Sequence, residues 1–232
     1  MKHPILACTL AACCGMAAAE CPPYVKRTPG GDYTSAEDRD GLSVIEKFHF
    51  SRAVETLTQG MTGSLGADIS YTLEHFPNHH RALASMAKLG LRLKSAQPVG
   101  ARYTVSCYFE RAIAFAPQDV TARMVFGNYL LATGQDSMAL EQLDAASRLA
   151  PEQATIQYNL GLMYVKKKEY EKASAHAQKA YALGFPLPGL KNKLKAAGKW
   201  REPPPAPAVV EAKEARKTEE PAVPPVEESS GE

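Results

Sequence analysis

Apolar residues recur along the middle of the chain at three- and four-residue intervals, the spacing that gathers them on one side of an α-helix. Leu65, Ile69, Leu73 and Phe76 form one such stripe, and Pro77 closes it, because proline lacks the amide that would continue the helical ladder. Phe50, Val54 and Leu57 predict a helix before it. A first helix is predicted to begin at Thr34, whose hydroxyl can cap while Glu37 reaches back, and to run through Leu42, Ile45 and Phe48. Toward the other end, Leu190 and Leu194 stand four apart among lysines and predict a short helix over 188–199.

Between these flanks the pattern repeats. Pro117 and Pro151 are 34 residues apart, as are Gly127 and Gly161, Ala139 and Ala173, and Ala146 and Ala180. Glycine costs a helix interior about 1 kcal/mol relative to alanine, so Gly127 and Gly161 are expected where a second helix needs room to approach. The alanines are expected to do the same from the second helix, and the prolines to turn the chain into the next unit. A looser unit precedes these, from Pro77 through Ala82, Met86 and Ala87 to Phe109, Ala112 and Pro117. Its span from Ala87 to Ala112 is 25 residues where the later units have 19. Six inserted residues are therefore expected in the turn around Ser95 to Gly100.

A 34-residue period belongs to the tetratricopeptide repeat. Leu160-Gly161-x-x-Tyr164, followed by Ala173, Ala180 and, one place late, Pro186, resembles that family closely. Asp68 to Leu73 followed by Phe76-Pro77-Asn78-His79 is similar to a group of exported bacterial repeat proteins, a likeness that brings no activity with it. The resemblance implies an all-α solenoid of helix-turn-helix pairs: N-terminal helices over 34–76, repeats over 77–186, and a polar capping helix over 187–200. It also implies that the first helices of the repeats line a concave face that holds a partner polypeptide. At the inward-facing positions stand Arg81, Lys88 and Arg92, then Met124, Asn128 and Leu131, then Tyr158, Leu162 and Val165. Of these, Arg81, Lys88, Arg92, Asn128 and Tyr158 are the candidate partner-binding residues. Ala84 and Val125 stand where a carboxylate clamp would need lysine and asparagine, so the tail-binding class of these repeats is not matched. The competing expectation is a structural or assembly component of a cell-envelope complex.

The ends change the picture of the whole. Residues 1–19 start with Lys2, pass through an apolar stretch and finish in Ala17-Ala18-Ala19, the pattern of a secretory signal that directs the mature chain to the periplasm. Leu10-Ala11-Ala12-Cys13 also fits a lipoprotein signal, which would anchor the chain to a membrane through Cys13; both processing readings stand. From Glu202 to Glu232 there are seven prolines and eight glutamates against three basic residues, so 201–232 is expected to be a disordered acidic tail. The body between is basic, with its excess concentrated in Lys166 to Arg201, where ten cations face Glu169 and Glu171. A solvated lysine face is one reading of that run; attraction to anionic envelope surfaces or to the acidic tail is the other. Nucleic acid is not an expected partner, because an exported chain rarely encounters any.

Candidate chemistry adds little. No Cys-x-x-Cys, His-Glu-x-x-His, Gly-x-Ser-x-Gly or phosphate-loop pattern is present, so no catalytic constellation, cofactor or metal is expected. His75, His79 and His80 are close in sequence, but Pro77 interrupts the helical turn a ligand pair would need. Tyr158, Tyr164, Tyr170 and Tyr181 are expected to fill seams between helices. Gly60 to Gly66 lacks the Lys-Ser/Thr of a phosphate loop and is expected to be a turn.

Cysteine usage is more informative. Cleavage after Ala19 removes Cys8, Cys13 and Cys14 and leaves Cys21 and Cys107. A mature pair in an exported chain points to a disulfide, one that would pin the irregular leader of 20–33 to the repeats and stabilise the fold by on the order of 4 kcal/mol through the entropy of a long closed loop. Limited proteolysis of the full chain is expected to remove the segment beyond about Glu202 without loss of helical circular dichroism; a resistant tail would contradict the compositional reading.

Overall fold

The computed structural model describes residues 21–202. The signal expected over 1–19 and the tail expected beyond Glu202 lie outside the described residues. The described residues form ten helices and no strand: α1 (Leu42–His49), α2 (Arg52–Glu55), α3 (Leu65–His75), α4 (His80–Leu93), α5 (Val105–Phe115), α6 (Val120–Ala132), α7 (Asp136–Leu149), α8 (Ala154–Lys166), α9 (Tyr170–Ala182) and α10 (Gly189–Ala196). Neighbours in sequence pack as pairs, most extensively α6 on α7 and α8 on α9, and α4, α6 and α8 lie in contact one after the next. The arrangement is compatible with a helical solenoid.

One junction is used three times. After α3, α5 and α7 the chain turns through Phe76-Pro77-Asn78-His79, Ala116-Pro117-Gln118-Asp119 and Ala150-Pro151-Glu152-Gln153. The residue before each proline is pushed out of the helical region to φ −125°, −126° and −137°, as the proline ring demands. Three residues on, the backbone is again extended, with φ −66°, −74° and −89° at His79, Asp119 and Gln153. Each turn is closed by the same bond, from the amide of His79, Asp119 or Gln153 to the carbonyl of Phe76, Ala116 or Ala150. Arg123 donates to the Pro117 carbonyl at 2.9 and 3.1 Å, and Gln157, 34 residues later, donates to the Pro151 carbonyl at 2.8 Å. These two donors carry no helical periodicity and were invisible in the hydrophobic pattern.

Small residues set the spacing within pairs. Ala139, Ala146, Ala173, Ala177 and Ala180 are fully buried, and a Cβ placed on Gly127 would stand 2.7 Å from Leu143 Cγ of the paired helix α7. Gly161 differs from expectation. The first atom its Cβ would meet, at 2.4 Å, belongs to Leu190 of α10, with the Ala173 carbonyl of α9 at 3.4 Å. The capping helix therefore uses this glycine, and Leu190 and Leu194 are both fully buried against α8 and α9. Toward the N-terminal side the core becomes bulkier, with Phe109 stacked on Phe126 at 4.8 Å between α5 and α6.

The inserted turn occupies residues 94–104 and folds back on α3. Ser64 caps α3 by accepting from the Ala67 amide while donating to the Val99 carbonyl at 2.9 Å. Gly100, at φ +83°, adopts a left-handed backbone in a space where a Cβ would collide with the Ser64 hydroxyl. The buried Tyr108 hydroxyl accepts from the amides of Arg102 and Tyr103 at 3.0 and 3.2 Å and pairs with Ser70 at 2.5 Å.

The first helix is shorter than the sequence predicts. Asp32 accepts from both the amide and the hydroxyl of Thr34, at 2.8 and 2.7 Å, and residue 34 lies in a turn rather than at the start of a helix. Residues 34–41 are turns, and α1 starts at Leu42 after Gly41. Phe48 lies on α1 but is exposed.

Replacing Gly127 with alanine removes glycine's helix penalty but overpacks the contact with Leu143. A net loss of about 1–2 kcal/mol is expected from the urea midpoint; a gain in stability would refute the close-approach role.

Candidate functional site

Two groups of residues are candidates for a site: the predicted face on α4, α6 and α8, and the polar assembly at the junction from α3 to α4.

On the face, Arg81 is committed internally. It holds Glu55 with two bonds, at 2.9 and 2.7 Å, reaches Glu46 at 3.2 Å, and lies over the Phe50 ring. The Glu55 hydrogen bonds push its already high pKa up, and the Glu55 carboxyl is held low by the same contact. Arg92 donates to the Leu57 carbonyl at 2.7 Å. Both arginines thus brace α4 against the segment containing α2. Lys88 is exposed and has no partner among the described residues. Asn128 is exposed and accepts from Asn159 of α8 at 2.9 Å, a residue the sequence reading passed over. Tyr158 is only 9% exposed and stacks on Phe185 at 4.0 Å, so its ring packs against the chain that follows α9. Met124, Leu131, Leu162 and Val165 are half-buried.

The three clustered histidines are each bound, and no group of metal-binding side chains occurs among the described residues. His75 pairs through Nδ1 with the Pro29 carbonyl. His80 faces both carboxylate oxygens of Asp119, at 2.9 and 2.8 Å. His79 accepts the Ala82 amide on Nδ1 at 3.1 Å, which makes it the cap of α4, and its Nε2–H donates to Glu46 at 2.9 Å. That pair of bonds requires the neutral imidazole.

Asn78, fully buried, joins these groups to the leader. It accepts from the Tyr33 amide at 2.9 Å and donates to Asp32 at 2.7 Å and Asp119 at 3.1 Å. Burial raises the Asp119 carboxyl, but the bonds from His80, the Ala122 amide and Asn78 outweigh it, and its pKa lies below the ordinary value. Asp68 behaves likewise: burial opposes its charge, while Thr62, the Met61 amide and His49 hold it ionised and organise the Gly60–Gly63 turn.

The leader is a strap rather than a loose end. Cys21 is joined to Cys107 by a disulfide, with Cα atoms 5.3 Å apart. Tyr24 donates to the His75 carbonyl at 3.0 Å and packs edge-on against Phe115. The Gly31 amide donates to the same carbonyl at 3.0 Å, and the Tyr33 ring lies 4.3 Å from His79. Composition alone could not reveal this, because each contact joins one irregular residue to one junction residue and leaves no period.

The chain matches no protein-family model and no curated protein. Among the described residues no helix is long and apolar enough to cross a membrane.

Burial is the main cause that lowers His79 from its ordinary value to about 4, against the pull of Glu46. The unfolded chain takes up this proton near pH 6.5 and the folded chain only near 4, so the unfolded state binds more protons between them. Stability is therefore expected to fall by on the order of 2 kcal/mol as pH drops from 6.5 to 4 on account of His79. His79→Asn keeps a good capping residue and should flatten that part of the profile. His176, also lowered by burial, contributes to the same window, so the readout is the difference between the two proteins. Parallel profiles would rule out a buried neutral imidazole at 79.

Proposed function

We propose that this chain is a tetratricopeptide-type repeat protein of an oxidising compartment outside the cytoplasm, and that it holds a partner polypeptide on the face shared by α4, α6 and α8. The observation that carries the reading is the threefold junction, whose repetition brings these first helices into contact one after another. Along them, Met124, Asn128, Leu131, Leu162 and Val165 remain partly accessible. Lys88 supplies a cation without an internal partner at one end of the strip. An extended or helical segment with an acidic portion suits that profile. Arg81 and Arg92 serve this reading as braces that fix α4, and Tyr158 as a buried support. The Cys21–Cys107 bond is compatible with an oxidising compartment, as expected for a chain exported through residues 1–19.

Benzoylphenylalanine placed singly at Lys88, Asn128 and Leu162 of the full chain, in cells, is expected to yield a discrete polypeptide adduct on illumination. The same group at Met138 and Arg148 of α7 should not. Adducts from both sets alike, or from neither, would reject this face as the binding surface.

A further inference from the structure

Arg111 of α5 is 7% exposed, and its Nη1 is buried with no hydrogen-bond acceptor. The nearby cations each have a carboxylate partner: Arg27 and Arg102 share Glu74, and Lys26 pairs with Asp38. Arg111 itself has no ion pair among the described residues. Its guanidinium faces two rings, Tyr103 at 4.5 Å and Tyr24 at 5.8 Å. Such contacts return less than it costs to take a charge out of water. A buried guanidinium in this state retains capacity for an anion.

Beside it opens a cleft of about 580 Å³ with Pro22, Pro23, Ala114 and Phe115 among its walls and Glu110 also lining it. The volume is that of an ordinary small-ligand site. Its walls come from two segments, the leader and α5, which the Cys21–Cys107 bond fastens together one helical turn before Arg111.

We propose that this cleft binds a single carboxylate carried on an apolar body. Arg111 pairs with the carboxylate, as guanidinium groups do with planar two-oxygen anions, and the prolines and Phe115 receive the apolar part. Glu110 disfavours a second negative charge, so a monoanion is the ligand class. The carboxylate can belong to a free small acid or to the C-terminal residue of a peptide. The site is separate from the α4, α6 and α8 face and does not depend on the reading of that face.

Isothermal titration of the full, oxidised chain with four probes tests this: hexanoate, hexan-1-ol, N-acetyl-Ala-Leu as the free acid, and its C-terminal amide. At least one acid is expected to bind, and its neutral counterpart to bind at least tenfold more weakly. Tighter binding of hexanoate identifies a small-acid site, and tighter binding of the peptide acid a C-terminus site. R111M should weaken the acid at least tenfold. A114W, which fills the cleft from an exposed position, should do the same with an unchanged helical spectrum, and it decides the matter if R111M does not fold. No binding of either acid at about 10 mM, equal binding of acid and neutral probe, or undiminished binding by folded A114W would overturn the proposal.

Discussion

The constraint on which the fold depends is the proline-closed turn between a second helix and the next first helix. At 77, 117 and 151 the ring forces the preceding residue out of the helical region, and one amide-to-carbonyl bond fixes the direction in which the chain leaves. Because the geometry is the same each time, α4, α6 and α8 are delivered to neighbouring positions, where they lie in contact one after the next. The packing then only has to be close enough, and buried alanines with Gly127 and Gly161 make it so. Side chains refine the turn differently at each occurrence. His79 and Asp119 cap their helices, whereas Gln153 does not, and Arg123 and Gln157 hold the proline carbonyls from one repeat position.

What could be read from the sequence was whatever recurs. The stripe Leu65, Ile69, Leu73, the 34-residue spacing, the lengthened turn near Ser95–Gly100 and the capping pair Leu190 and Leu194 all leave periodic or punctuating marks. The Cys21–Cys107 pairing was legible because the expected removal of residues 1–19 leaves two cysteines. The site was harder. Arg81 stands in the repeat register of a groove residue, but its partners Glu46 and Glu55 come from irregular upstream segments that no period identifies. Tyr158 occupies a lining position, yet the chain after α9 returns Phe185 onto its ring. Thr34 carries a plausible capping signature, yet it bonds to Asp32, two residues away, in a turn, and the helix starts only at Leu42. In each case a local rule was met and a contact from outside the pattern prevailed.

The junction from α3 to α4 also shows how buried polarity is tolerated here. His75, His79, His80, Asn78, Asp32 and Asp119 would each be costly alone, but nearly every donor faces an acceptor of matching character. Arg111 Nη1 has no such match, and among the described residues it shares that state with the uncharged Ser51 Oγ, Ser174 Oγ and Trp200 Nε1.

The strap has a consequence for the order in which the chain can be assembled. The contacts between α6 and α7 and between α8 and α9 join neighbouring helices in the sequence, whereas the bonds that tie the strap to the helices, from that of the Gly31 amide to the disulfide, span 44 to 86 residues. Loop closure costs more for longer separations, and structure rich in local contacts forms faster. The C-terminal hairpins can therefore form before the N-terminal third is in place, and Tyr24, Tyr33 and Cys21 find their positions only after α3, α4 and α5 exist to receive them. The strap is thus the segment whose native surroundings are completed last.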